Sequence, residues 1–122
     1  MRYMMIWKPA DLKTVESGAP PTKAMMEGMA AFIGELAQSG VLLMTDGLQP
    51  SSKGARVRLA GGKITVKDGP FTETKELIGG FAIVQVKTKT EAIELAKRFL
   101  AIAGEGESEI RLMPESPAYL RS

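Results

Sequence analysis

The chain has 122 residues, of which 44% are apolar and 25% charged, as in ordinary water-soluble domains. Its 16 basic and 14 acidic side chains are spread along the sequence and leave a net charge of +2, which argues against direct binding of nucleic acid. No apolar run is long enough to cross a bilayer, so we expect no membrane partner.

Histidine and cysteine are both absent. Zinc, haem and cysteine-nucleophile sites therefore lose their usual ligands or attacking groups, and we predict neither a metal nor a cofactor. Any metal would have to be a hard cation on oxygen ligands. Without cysteine there are no disulfides, which favours a cytoplasmic location.

The first third of the chain predicts a strand, a loop and a helix. Residues 2–7 are apolar on both faces of a strand. Residues 10–21 hold a glycine, two prolines and no sustained period, which indicates a loop. A helix is predicted from Thr22 to Ser39, ended by Gly40. Its apolar stripe consists of Met25, Met29, Phe32 and Leu36.

The remainder alternates strands with one more helix. The predicted elements are a strand over Val41–Leu48, a hairpin of Ala55–Ala60 and Lys63–Lys67 across Gly61-Gly62, a strand over Gly80–Lys87, a helix over Lys89–Ala103 and a strand over Glu109–Met113. This order predicts an α+β fold, a ferredoxin-like α/β sandwich with both helices on one sheet face. No linker divides it, so we expect a single domain over residues 1–122.

Apolar residues on both faces of the first strand raise the question of what covers the second face. The two rows are Tyr3, Met5 and Trp7 on one face and Met4 and Ile6 on the other. An exposed apolar sheet face usually marks an interface. A homodimer that packs sheet against sheet would bury it by two-fold symmetry. The alternative is that the tail after Met113 folds over this face.

Asp68 is the candidate catalytic residue. It keeps phase with Ile64 and Val66, so its carboxylate should lie at the end of their apolar row, where it suits general acid or base chemistry. The alternative is structural, because Asp-Gly-Pro is a turn sequence and aspartate bonds nearby backbone N–H groups. Gly69 would supply a permissive backbone before Pro70.

The charged run after Phe71 is the candidate binding segment. In an extended chain Glu73 and Lys75 share one side and would orient a polar ligand at a pocket mouth, or simply form a solvated segment. Arg56 and Arg58 lie on the hairpin face opposite Val57 and Leu59. They suit recognition of carboxylate or phosphate, although charges on an edge strand more often protect it from aggregation.

Residues 68–76, followed by Gly79-Gly80-Phe81, resemble the signature of the YCII-related superfamily, in the branch named for its Asp-Gly-Pro-Phe motif. Supporting matches are Met1–Met4, Gly47–Pro50, Ala55–Arg58 and Glu109–Arg111. The resemblance implies a ferredoxin-like chain that dimerises as an α/β barrel. Thr72 replaces the alanine that is usual in the motif.

The same resemblance implies several roles. Some relatives act on chlorinated or hydroxylated muconate-type acids with a histidine and an aspartate; here only Asp68 matches, and Gln49 stands where close relatives can have histidine. Other members resemble partners of extracytoplasmic-function sigma factors. We predict a homodimer that binds a small acidic or aromatic-derived ligand near the signature loop, with a lyase or isomerase and a sigma-factor partner as alternatives. The predicted binding residues are Gln49, Arg58, Gly69, Phe71, Glu73 and Lys75.

Overall fold

The computed structural model describes residues 1–71 and 77–115. Its helices and strands alternate nearly as the sequence predicts. They are β1 (Arg2–Pro9), α1 (Leu12–Glu16), α2 (Lys23–Gln38), β2 (Leu42–Gly47), β3 (Ala55–Ala60), β4 (Lys63–Asp68), β5 (Gly80–Gln85), α3 (Lys89–Ala103) and β6 (Gly106–Leu112), with a 3₁₀ turn at Ser51–Lys53.

Four strands form an antiparallel sheet in the order β2-β5-β1-β6, and β3 and β4 form a separate two-stranded sheet. The first order is that of a ferredoxin-like sandwich, because α2 and α3 connect strands that are not neighbours. The predicted α+β class is confirmed. In the described part of the chain, no helix is long and apolar enough to span a bilayer.

The helix ends follow local side-chain chemistry. The Thr22 hydroxyl oxygen accepts a hydrogen bond from the Met25 N–H (3.1 Å), and that of Thr88 accepts from the Glu91 N–H (3.2 Å). The Glu91 carboxylate in turn accepts from the Lys87 N–H at 2.8 Å, one residue before the N-cap Thr88. These polar residues therefore place the helix starts where the sequence predicts them.

One prediction is wrong: the segment from residue 10 to residue 21 is not all loop. Leu12–Glu16 form the short helix α1. Its N-cap is Asp11, whose Oδ1 accepts from the Thr14 N–H at 3.1 Å. Five residues make little more than one turn, which is too short to show an apolar period in the sequence.

The helices cover the face of the sheet that carries Tyr3, Met5 and Val84. These three side chains are buried, at 4%, 5% and 0% exposure. Trp7 continues the row and contacts Phe99 of α3 edge-on, with ring centroids 5.2 Å apart. Tertiary packing thus decides which of the two apolar rows of β1 enters the core.

The opposite face of the sheet is also apolar in its centre. Strand register places Met4 beside Ile83 and Ile6 beside Phe81, and all four are partly buried. Met44 extends this open face along β2 and is 53% exposed. The C-terminal segment was the alternative cover for this face, but residues 116–122 lie outside the described residues.

The hairpin Ala55–Asp68, here called the arm, projects as its own two-stranded sheet. Gly61 and Gly62 have φ values of 58° and 77°, so the predicted two-residue turn with positive φ is confirmed. Register pairs Val57 with Val66 and Leu59 with Ile64 on one face. These four side chains are 66–70% exposed, unlike the core face of the large sheet.

Candidate functional site

A cleft of about 1390 Å³ lies between the core face of the sheet and α2. It exists because α2 packs unevenly on the sheet. Phe32 and Leu36 are buried, while Met29 and Met25, one and two turns before Phe32, are only partly buried. The floor includes Met5, Ala82 and Val84, and the end wall includes Trp7 and Phe99. The predicted stripe of α2 therefore serves as core at one end and as cleft wall at the other.

Among the described residues that line the cleft, polar groups are few and none is a cation. Lysine and arginine are both missing from its described lining, whereas Asp11, Asp46 and Glu105 contribute to it. Hydrogen bonds from Thr14, by its side chain and then its backbone N–H, hold the pKa of the Asp11 carboxyl below its usual value. The lining therefore suits a neutral ligand better than an anionic one.

Neutral hydrogen-bonding groups are available at the β2 end of the cleft. The Thr45 hydroxyl donates to the Phe81 carbonyl (2.9 Å), which leaves its lone pairs free to accept. Gln49 also lines the cleft, and its amide offers both a donor and an acceptor. Of the predicted binding residues that the structure describes, Gln49 is the one that reaches this lining.

The signature loop is tied to the cleft wall through Ser51. Glu16 Oε2 accepts from the Ser51 N–H (2.9 Å) and hydroxyl (2.8 Å), and the Ser51 hydroxyl oxygen accepts from the Phe71 N–H (3.1 Å). This chain joins α1, the 3₁₀ turn and the signature loop, next to the lining residue Pro50. Sequence reasoning missed Glu16 and Ser51, because their contact spans 35 positions and leaves no local pattern.

Gly69 is required for space rather than for a positive φ, since its backbone is not in that region. Its N–H donates to the Gly54 carbonyl (3.0 Å), and an added Cβ would collide with the Ser51 carbonyl. The Gly69–Pro70 peptide bond is cis. The sequence therefore indicated correctly that this position favours glycine. The reason is that two backbone segments approach too closely to leave room for a side chain.

The Phe71 ring and the Arg56 guanidinium contact each other at the base of the arm. The Arg56 guanidinium lies 4.0 Å from the centroid of the Phe71 ring, which is a cation–π geometry. Arg58, two residues further along the same face, is exposed. The two arginines thus differ in setting, although the sequence presents them as one stripe.

Asp68 lies at the end of β4, opposite Ala55 and on the face of Ile64 and Val66, as predicted. It is exposed and is not part of the cleft lining. Within residues 1–71 and 77–115 its carboxylate has no hydrogen-bond partner. Glu73 and Lys75 lie outside the described residues, and no group of three or more acidic side chains in the described part is placed to hold a metal.

Comparison with known proteins identifies the family. The model of the YCII-related domain matches residues 1–114. This chain belongs to the YCII-related family. The predicted resemblance is thereby confirmed over nearly the full length of the chain.

Two further similarities are more distant. An uncharacterized protein of Rhizobium meliloti (strain 1021) is 32% identical to this YCII-related chain over 73 residues, which are 60% of this chain and 59% of that protein. The match thus spans less than two thirds of the relative. A 5-chloro-2-hydroxyhydroquinone dehydrochlorinase from Burkholderia phenoliruptrix AC1100, solved with 2,5-dihydroxybenzoquinone, covers 95% of this chain and 96% of its own, at 14% identity and a TM-score of 0.48. A similarity of that strength supports no inference about the activity or substrate of this chain.

Proposed function

We propose that this YCII-related chain is a homodimeric protein that binds a small, largely apolar or aromatic molecule in the cleft between α2 and the sheet. The cleft itself is the observation that carries the proposal. Its apolar walls with a few polar groups are typical of small-molecule sites, which usually enclose about 300–1000 Å³. At about 1390 Å³ it is larger, so a single ring would not fill it without closure of α2.

The lining narrows the chemistry of the ligand. Trp7 and Phe99 offer aromatic surface, and Met25 and Met29 offer flexible side chains that adapt to a ring. A carboxylate in this cleft would meet acidic neighbours without a cation among the described lining residues. A neutral hydroxylated aromatic therefore fits better than the acidic ligand, which would need a cation from outside, such as Arg58 of a second copy.

The homodimer is supported by the surface that a single chain leaves in water. The chain exposes 8714 Å², about 2300 Å² more than the roughly 6400 Å² expected for a compact monomer of 13.1 kDa. The open face, with Met4, Ile6, Phe81 and Ile83, is apolar in its centre. Two copies that pack by this face would form the dimeric α/β barrel that the family resemblance implies.

A thermal-shift screen tests the proposal. Neutral hydroxylated aromatics are compared with the corresponding aromatic acids and with muconate-like acids. A ligand at about 100 times its dissociation constant adds roughly 2.7 kcal/mol to stability. The shift should shrink in Gln49→Ala, which changes the cleft, and persist in the matched control Gln38→Ala, which lies outside the lining.

Catalysis is the second candidate, and the observation that favours it is the carboxylate of Asp68, which has no hydrogen-bond partner within residues 1–71 and 77–115. If the protein turns over a hit from the screen as a lyase or isomerase, Asp68→Asn should remove turnover and keep the thermal shift. Retention of turnover would exclude Asp68 as the acid or base. If no compound raises the melting temperature, the proposed ligand site is contradicted. The alternative, a sigma-factor partner, would then be tested by pull-down.

A further inference from the structure

Among residues 1–71 and 77–115, no element covers the apolar face of the arm. Val57, Leu59, Ile64 and Val66 are 70%, 69%, 66% and 66% exposed, and they are four of the eleven large apolar side chains that are exposed in the described residues. An isolated two-stranded hairpin is at best marginally stable in water. This arm is fastened at its base, where Gly69 and Phe71 bond the Gly54 and Ser51 segment.

The other face of the arm is polar and basic, so the apolar face is the one available for contact. Register places Arg58 opposite Thr65, and Lys67 and Lys63 lie on that same face. Both outer edges of the arm are unpaired in the described structure, because β3 and β4 pair only with each other there. Unpaired edges and an apolar face together make a surface that favours association.

A second copy of this chain is the occupant that the surface areas support. The excess of about 2300 Å² per chain is well above the roughly 800 Å² that each partner buries in a standard interface. The open sheet face alone accounts for only part of the exposed apolar side chains, since the arm adds four more. A reciprocal contact also closes by two-fold symmetry, which limits assembly to a dimer.

We propose that each arm lies, by its apolar face, on the second copy in the homodimer, so that two arms are exchanged. This inference rests on the dimer in the proposed function. Asp68 shares the face of Ile64 and Val66, so the same contact carries its carboxylate to the partner. The environment of Asp68 is then incomplete in a single chain, which accounts for its lack of hydrogen-bond partners in the described residues.

The absence of cysteine makes a direct test possible, because one introduced thiol is a unique label. Ile64→Cys places the thiol on the apolar face, and Thr65→Cys places it on the polar face one residue later. Both positions are exposed in the single chain. At a protein concentration where light scattering shows a dimer, maleimide should label Cys at position 64 at least about tenfold more slowly than at position 65.

The protection should disappear when the dimer is dissociated, either by dilution or by Ile83→Lys on the open sheet face. Equal labelling rates in the dimer would overturn the arm exchange and leave the sheet-to-sheet dimer standing. Slow labelling at position 64 in the monomer would also overturn it, because the chain would then cover its own arm. If the protein is a monomer at all concentrations tested, both the arm exchange and the sheet-to-sheet dimer are overturned. If Ile64→Cys fails to fold, Val57→Cys and Arg58→Cys provide the same comparison on β3.

Discussion

β1 and the arm each carry a row of apolar side chains on one face of a strand, and the two rows reach opposite states of burial. Tyr3 and Met5 of β1 are 4% and 5% exposed, whereas Val57 and Val66 of the arm are 70% and 66% exposed. Alternation determines which side chains share a face of a strand. It does not determine whether another element packs on that face, and this difference separates the body of the protein from its arm.

The two regions differ in burial because different elements pack against them. β1 lies between β5 and β6, under α2 and α3, so Tyr3 and Met5 of its core row are buried. The arm is made by local chemistry, a Gly61-Gly62 turn between two six-residue strands, and needs no other element to form its register. Three experiments test this difference between the body and the arm.

The largest effect is expected at the joint between the two regions. Gly69→Ala places a methyl group against the Ser51 carbonyl, so the backbone must move, and we expect a loss of about 3 kcal/mol or more in the free energy of unfolding. Chemical denaturation measures it. Gly54→Ala is the control, since its Cβ would lie at an ordinary 3.7 Å from the same oxygen and should cost under about 0.5 kcal/mol.

If Gly69→Ala and Gly54→Ala had the same stability, the close packing of the signature loop would not matter for folding. If Gly69→Ala lost the arm signals in an NMR spectrum while the body kept its melting temperature, the joint would hold only the arm. Either result would revise the view that the Glu16–Ser51–Phe71 chain couples the arm to the body.

An intermediate effect compares one valine from each region. Val84 is fully buried in the body, so Val84→Ala should cost about 2 kcal/mol, from lost transfer energy and the remaining cavity. Val66→Ala should cost under about 0.5 kcal/mol when the protein is dilute enough to be monomeric. Urea denaturation at low concentration measures both. Equal losses would show that the arm is buried within its own chain.

The smallest effect concerns charge on the open face of the body. Hydrogen bonds from Lys8 (2.8 Å) and Arg111 (3.1 Å) hold the pKa of the Glu109 carboxyl below its usual value. The stabilisation is therefore present above about pH 4.5 and is lost as the pH falls through the lowered folded pKa. Glu109→Gln should weaken this acid dependence of the melting temperature, whereas Glu107→Gln on the same strand should leave it nearly intact. Identical profiles for the two variants would contradict the assignment.

The signature motif shows how far the sequence leads toward the site. It identified the family, the turn, the importance of Gly69 and the face on which Asp68 lies. It did not reveal that the Ser51 hydroxyl oxygen accepts from the Phe71 N–H, that the Gly54 carbonyl accepts from the Gly69 N–H, or that the cleft lies elsewhere, between α2 and the sheet. The Phe71–Ser51 hydrogen bond joins residues 20 positions apart, and no local pattern in the sequence records such a contact. Trp7 and Thr45 were missed as cleft residues for the same reason.

Local patterns in the sequence predict the α+β order, most helix and strand bounds and the two-residue turn of the arm. These features depend on periodicity and on hydrogen bonds within a few residues, which the chain carries locally. The packing of distant elements decides which row of β1 enters the core, where α2 leaves a cleft and which apolar faces of the described residues remain in water. Those outcomes depend on long-range packing, because a side chain becomes core only when a distant element covers it.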